Sequence, residues 1–125
     1  MKKLSIIIIM VVSMQACLAQ NTTSAQRILD SVSQKAIYYL QQKQSDSIYA
    51  MAGENFRSHL SQEDFKQISM NQVFPLNDFK NVAFVKTVEG INKYKVDGSP
   101  ELQLLIGLDK DNKLETFLIQ AFSDN

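Results

Sequence analysis

The chain has 125 residues, of which 45% are hydrophobic and 21% charged, the composition of one globular domain rather than of a disordered or fibrous protein. Thirteen basic residues balance thirteen acidic ones, and no long stretch of the sequence concentrates the basic ones. We therefore expect neither nucleic acid nor an anionic membrane surface as a binding partner.

The N-terminus has the pattern of a signal peptide. Lys2 and Lys3 form a positive n-region, residues 4–12 are an apolar h-region, and small residues precede a cleavage position after Ala19. The apolar run is shorter than the roughly 20 residues needed to span a bilayer. We expect a signal peptide over 1–19, a polar leader over 20–25 and a single α+β domain over 26–125, exported to the periplasm or the extracellular medium.

Cys17 supports a competing interpretation, in which it becomes the lipidated first residue of a bacterial lipoprotein. The lipidation motif is matched only at Ala16 and Cys17, because Gln15 stands where a small residue is wanted and Met14 where leucine is usual. We favour cleavage after Ala19, whereas lipidation at Cys17 would anchor the protein to the cell envelope. Cys17 is the one cysteine of the chain, so we expect no disulfide within the domain.

Three helical segments are predicted before the sheet. The first covers residues 26–42, and its apolar positions recur at three- and four-residue spacing on one stripe: Ile28, Leu29, Val32, Ala36, Tyr39 and Leu40. Ser45 begins a second, short helix that Gly53 ends or bends. Residues 54–60 are expected as a loose turn, after which Ser61 begins a third helix with a sequence like a capping box.

From residue 79 the apolar period changes to two, which predicts strands over 79–88 and 91–97 joined by a tight turn. Residues 101–122 form a final hairpin, in whose polar turn Asn112 takes the left-handed conformation. The predicted fold class is α+β, with three N-terminal helical segments packed on a curved, cone-like meander of four antiparallel strands.

A symmetric final hairpin places Leu104 opposite Leu118. When the pairing is extended through a two-residue turn at residues 89–90, Val85, Tyr94, Leu104 and Leu118 form one row on the helix-facing side. Tyr94, Leu104 and Leu118 are then the candidate lining of a cone pocket.

The same register gives the opposite side of the sheet Leu105, Phe117 and Ile119. A sheet face meant for water should alternate to polar residues, so we predict that these three contact a protein partner or a second copy of the chain. The alternative is that strong curvature folds this face under the edge of the helical layer.

Two stretches, SDSIYAMAGENFRSHLSQEDFKQI and LQLLIGLDKDNKLETFLIQAF, resemble a family of small exported bacterial domains of unknown function. The shared motifs are an apolar-Tyr-Ala-x-x-Gly-Glu-x-Phe turn and an Asp-Lys-x-x-Lys-Leu-Glu hairpin. The resemblance implies a reduced nuclear-transport-factor-two-like (SnoaL-like) cone, which occurs alone or in front of serine β-lactamase-like hydrolase domains. It carries over no catalytic residue.

The sequence lacks the combinations of residues that catalysis needs. No Ser-x-x-Lys occurs in it, so the chain by itself is not a penicillin-recognising serine enzyme. His59 is the single histidine, which excludes a multi-histidine metal site. We expect no enzymatic activity and no cofactor. The predicted function is an exported accessory or interaction domain, similar to the one that precedes β-lactamase-like hydrolases, and the alternative is a small domain that binds an apolar ligand.

Overall fold

The computed structural model describes residues 23–123, in which helices are followed by one sheet, as the predicted α+β class requires. The helices of this part are α1 (Thr23–Gln41), α2 (Ser45–Ala50), α3 (Glu54–His59) and α4 (Gln62–Ile68), and a π-helical turn (Ser69–Val73) follows α4. The strands are β1 (Val82–Val88), β2 (Ile91–Val96), β3 (Leu102–Leu108) and β4 (Leu114–Ala121). Consecutive strands pair antiparallel in the order β1-β2-β3-β4, which confirms the predicted meander.

The helical region is more regular than expected between α2 and α4. Residues predicted as a loose turn form α3, which buries the Phe56 side chain completely. The predicted start of α4 is confirmed, because the Ser61 side chain accepts a hydrogen bond from Asp64 N at 3.1 Å. α2 and α3 have six residues each, so burial rather than helix propensity stabilises them.

The β1–β2 and β3–β4 turns take the predicted conformations. Glu89 and Gly90 have φ angles of 52° and 78°, and positive φ at both central residues is the geometry of a type I′ two-residue turn. Asn112 has a φ of 64° in the turn between β3 and β4. β1 begins at Val82 rather than at residue 79, because Phe79 has a φ of 57° and buries its side chain.

The predicted register is wrong in β1 because of a β-bulge. Tyr94 pairs with Phe84 rather than with Val85, since the pairing shifts by one residue between Phe84 and Lys86. Val85 is the extra residue, and its exposed fraction is 41%.

The predicted register of the final hairpin is wrong for the same physical reason. The pairing next to the turn is as predicted, but Glu115 is an extra residue in β4, and every later residue of that strand is displaced by one position. Leu104 therefore pairs with Ile119 rather than with Leu118. A one-residue shift moves each side chain to the other side of the sheet.

The helices pack on one face of the sheet, termed the core face. Its residues alternate along the strands: Val82, Phe84, Thr87, Asn92, Tyr94, Val96, Leu102, Leu104, Ile106, Phe117 and Ile119. The Phe65 ring of α4 lies 6.3 Å from the Phe117 ring, and Phe56 lies 5.8 Å from Phe65. All three rings are buried, so an aromatic cluster joins the helices to β4.

The turn between β3 and β4 is attached to the helical layer at Gly53. Leu114 forms a parallel bridge with Ala52. In this bridge Gly53 N donates to Leu114 O, and Leu114 N donates to Met51 O, each at 2.9 Å. The outer edge of β4 is thus paired at its beginning.

Asp109 organises this turn and requires glycine at residue 53. Its Oδ1 accepts hydrogen bonds from Asp111 N at 2.8 Å and from Lys113 N at 2.9 Å. Its Oδ2 occupies the position that a Cβ atom on Gly53 would take. The glycine turn and the Asp-Lys hairpin that carry the family resemblance therefore contact each other, and both have a structural role.

Candidate functional site

A hydrogen-bonded polar cluster joins α1 to the core face. Asn92, which is fully buried, lies at its centre. The Asn92 amide nitrogen donates to Asp30 Oδ1 at 2.9 Å and to the Tyr94 hydroxyl at 3.1 Å. The Asn92 amide oxygen accepts from Thr87 Oγ1 at 2.6 Å and from Gln26 Nε2 at 3.3 Å. These four bonds use the full hydrogen-bonding capacity of an asparagine side chain.

One face of α1 supplies the helical half of the cluster, because Gln26, Asp30 and Ser33 recur at four- and three-residue spacing. Asp30 Oδ1 also accepts from Gln26 Nε2 at 2.9 Å. Ser33 is fully buried, and its hydroxyl has no hydrogen-bond partner within residues 23–123. Since Asp30, the carboxylate of the cluster, is exposed and bonded to two amides, the arrangement is suited to holding α1 on the sheet rather than to acid–base chemistry.

The face of the sheet opposite the core face is termed the open face. It carries Ala83, Lys86, Val88, Ile91, Lys93, Lys95, Gln103, Leu105, Thr116, Leu118 and Gln120. The side-chain hydrogen bonds and ring contacts from the helices instead reach Thr87, Asn92, Glu115 and Phe117. Ile91, Leu105 and Leu118 are partly buried but stand outside the hydrophobic core cluster, and Leu105 pairs with Leu118. The open face therefore has an aliphatic part beside a polar part.

Phe122 and Ser123, termed the C-terminal strap, lie across the polar part of the open face. The Phe122 ring centroid is 5.0 Å from Lys93 Nζ and 5.1 Å from Lys95 Nζ, the geometry of cation–π contacts. Ser123 N donates to Gln103 Oε1 at 3.0 Å, and Ser123 O accepts from Lys93 Nζ at 2.7 Å. Ring and backbone of the strap are thus both held by side chains of the open face.

The charges of the two lysines are compensated differently. Lys95 forms an ion pair with Glu101 at 3.2 Å, and because both side chains are well exposed, the pair contributes little to stability. Lys93 is only 8% exposed, and its ammonium group donates to the neutral Ser123 carbonyl. No carboxylate of the described residues lies within ion-pair distance of it. An anion bound beside Lys93 would accept a charge-assisted hydrogen bond from this ammonium group, which is stronger than the bond to a neutral carbonyl.

The predicted partner surface of Leu105, Phe117 and Ile119 is wrong, because the bulge in β4 separates the three side chains. Phe117 and Ile119 are core-face residues with exposed fractions of 1% and 0%. Leu105 lies on the open face, where Leu118 is its neighbour instead. The cause is the register of the hairpin, rather than the sheet curvature considered as the alternative.

The predicted pocket lining is divided in the same way. Tyr94 and Leu104 pair with each other on the core face and are buried, whereas Leu118 lies on the open face. Two depressions of the described surface, of about 460 Å³ and about 350 Å³, lie beside the β3–β4 turn and along α1. Neither is lined by any of these three residues.

Exposed apolar side chains also occur along the edge strand β1. Phe84, Val85 and Val88 have exposed fractions of 54%, 41% and 48%. A bulge and a lysine on an edge strand oppose pairing with another sheet, and β1 has both, at Val85 and Lys86. The open face is therefore the better candidate for binding a partner.

Sequence reasoning missed Asn92 and the C-terminal strap. A signal for Asn92 was present, because it stands two residues before Tyr94 and must share its face. No sequence pattern indicates the strap, because its contacts with Lys93, Lys95 and Gln103 form only when the chain folds back across the sheet.

The signal peptide and the candidate lipidation site Cys17 lie outside the described residues. Within residues 23–123, no three His, Cys, Asp or Glu side chains are grouped as metal ligands. No helix in the same part of the chain has the length and apolar character needed to cross a membrane. Comparisons of the chain with protein-family models, curated proteins and solved structures found no match.

Proposed function

We propose that the protein is an exported, non-catalytic interaction domain that binds a protein partner through the open face of its sheet. The observation that carries this proposal is the position of Ile91, Leu105 and Leu118, which are partly buried but belong to no core cluster. Apolar side chains on adjacent strands of an uncovered face are typical of a contact surface. A face that only meets water would carry polar residues at these positions.

The arrangement of the open face supports the same proposal. Protein interfaces combine an apolar centre with a polar rim that remains accessible to solvent. Leu105 and Leu118 provide such a centre, and the exposed ion pair of Lys95 with Glu101 lies on the polar side. Export rests on the signal-peptide pattern of residues 1–19, and an association with hydrolase domains rests on the family resemblance.

The absence of a catalytic role is supported by the polar cluster around Asn92. The Asn92 side chain uses its full hydrogen-bonding capacity within the cluster and has none left for a substrate. The alternative function, binding of a small apolar ligand, would need Tyr94, Leu104 and Leu118 around one space, but these residues lie on two faces.

Affinity capture from the native envelope or culture medium, with residues 20–125 as bait, tests the proposal. A Leu105→Lys, Leu118→Lys double variant should stay folded and lose a species that the unmodified chain retains. Ile28→Lys is the matched control, because Ile28 is also apolar and 39% exposed but lies on α1. Thermal unfolding of all three proteins verifies the fold.

The control variant should retain the same species as the unmodified chain. An identical captured set for the control and the open-face double variant would contradict the proposal, as would loss of the species with Ile28→Lys alone.

A further inference from the structure

We propose that the polar part of the open face is a binding site for an extended peptide of a partner protein that carries an aromatic residue followed by acidic residues. The C-terminal strap occupies this site within the chain and competes with that peptide. This inference rests on the proposed function and specifies the chemistry of the partner.

The environment of the Lys93 ammonium group is the reason to expect acidic residues in the ligand. Its side chain is more than nine-tenths buried, and within the described residues its ammonium group meets a carbonyl oxygen and an aromatic ring but no carboxylate. A carboxylate in place of the Ser123 carbonyl would form a charge-assisted hydrogen bond, which is shorter and stronger than the bond to a neutral acceptor. The site therefore favours a ligand more acidic than the strap.

We expect an aromatic residue in the ligand because the ammonium groups of Lys93 and Lys95 lie at nearly equal distances from the Phe122 ring. A second aromatic side chain placed there would gain both cation–π contacts. Gln103 suits a peptide ligand, because its Oε1 accepts from a backbone N–H of the strap. Its amide is oriented by a hydrogen bond from Nε2 to Gln120 Oε1 at 3.1 Å, so the acceptor is already directed at the ligand position.

Nucleic acid also combines aromatic rings with negative charge, but the chain is a poor match for it. The formal net charge of the whole chain is +0, so no long-range field attracts a polyanion. The site has one backbone-binding amide and Lys86, Lys93 and Lys95 of two adjacent strands, an extent that suits a few residues of peptide rather than a run of phosphates.

The strap lowers the apparent affinity for any peptide ligand. A segment of the same chain has an effective concentration in the millimolar range, and a ligand binds only to the fraction of molecules in which the strap is displaced. Phe122→Ala removes the ring from the site without shortening the chain. We expect this variant to bind the ligand on the order of tenfold more tightly than the unmodified chain.

The test uses the amidated synthetic peptide Ile-Gln-Ala-Phe-Asp-Asp-Asn, which repeats residues 119–125 with aspartate in place of the serine. It is titrated into ¹⁵N-labelled residues 20–125 carrying Phe122→Ala, and binding is followed by NMR chemical shifts. We expect shifts at Lys93, Lys95 and Gln103, and affinity lower by about tenfold when Lys93→Gln is added. Lys113→Gln, on the exposed β3–β4 turn, is the control and should leave the affinity unchanged.

Two peptide variants test the same chemistry without altering the protein. Replacing both aspartates by asparagine, or the phenylalanine by alanine, should each weaken binding by about tenfold. Absence of shifts on the open face, or equal affinities for all three peptides, would overturn the inference.

The outcomes separate this inference from the proposed function. If the peptide fails to bind but the Leu105→Lys, Leu118→Lys variant still loses a captured partner, the open face is a binding surface and the proposed ligand class is wrong. If the captured species is a second copy of this chain, and the acidic peptide does not compete with it, the proposed class of peptide ligand is also wrong. If neither experiment shows binding at the open face, the proposed function fails too.

Discussion

Phe117 and Leu118 are neighbours in sequence on opposite faces of β4, so truncating each to alanine tests the register of the sheet. Phe117 is 1% exposed, and its ring contacts Phe65 in the aromatic cluster. Phe117→Ala should lower the free energy of unfolding by about 3–5 kcal/mol, from lost burial and the cavity left behind. Leu118 is partly exposed outside the core cluster, so Leu118→Ala should cost no more than about 1 kcal/mol.

Urea unfolding followed by circular dichroism measures both changes. A domain of about 100 residues loses roughly 4–8 °C in Tm per kcal/mol, so Phe117→Ala should also lower Tm by at least about 12 °C. The slope of free energy against urea concentration should stay constant, which shows that the native fold is retained. Ile119→Ala and Leu105→Ala form a second pair with the same contrast, since Ile119 is fully buried and Leu105 lies on the open face.

A cost for Leu118→Ala equal to or above that for Phe117→Ala would contradict the burial of Phe117 and the exposure of Leu118. It would mean that β4 has the symmetric register, with Leu118 in the core and no bulge at Glu115.

Three further predictions concern the Gly53 contact, the polar cluster and catalysis. Gly53→Ala should lower the free energy of unfolding by about 1–3 kcal/mol, because the new Cβ would overlap Asp109 Oδ2. In a double-mutant cycle, adding Asp109→Ala should recover most of this loss, and additive costs would contradict the contact. Asn92→Leu should cost about 1–3 kcal/mol in urea unfolding, since the buried Tyr94 hydroxyl and Asp30 on α1 lose their hydrogen bonds to Asn92. A neutral effect would show that the cluster is not needed for stability. The purified chain should hydrolyse neither β-lactams nor esters faster than buffer does, and turnover that disappears with His59→Ala would contradict this.

The fold class was predictable because the change of apolar period at residue 79 separates helices from strands, and the turns have strong local signals. Gly90 and Asn112 both take the positive φ that their residue types favour. The capping serine of α4 has the same local character, since Ser61 bonds to a residue three positions away.

The register was not predictable from the same pattern, because both bulges occur in or beside runs that are apolar at consecutive positions. Phe84 and Val85 are adjacent apolar residues, as are Phe117 and Leu118, so alternation alone does not say which member of each pair faces the core. Tertiary contacts decide it. The bridge from Ala52 fixes the beginning of β4, and the aromatic cluster takes Phe117 rather than its neighbour.

The candidate site was predictable only in part, for the same reason. An apolar second face was predicted, and the structure retains such a face, but with Leu118 beside Leu105 in place of Phe117 and Ile119. The cationic part was not predicted, because burial of Lys93 involves the C-terminal strap, whose return across the sheet no local pattern indicates.

Methyl NMR on a complex with the captured partner shows which face of the sheet binds it, because one experiment reports on both faces. The methyl signals of Ile91, Leu105 and Leu118 should shift when the partner is added, while those of the core-face residues Leu104 and Ile119 should not. Shifts confined to Val85 at the bulge of the edge strand, or to the core-face methyl groups, would contradict the claim that the open face is the binding surface.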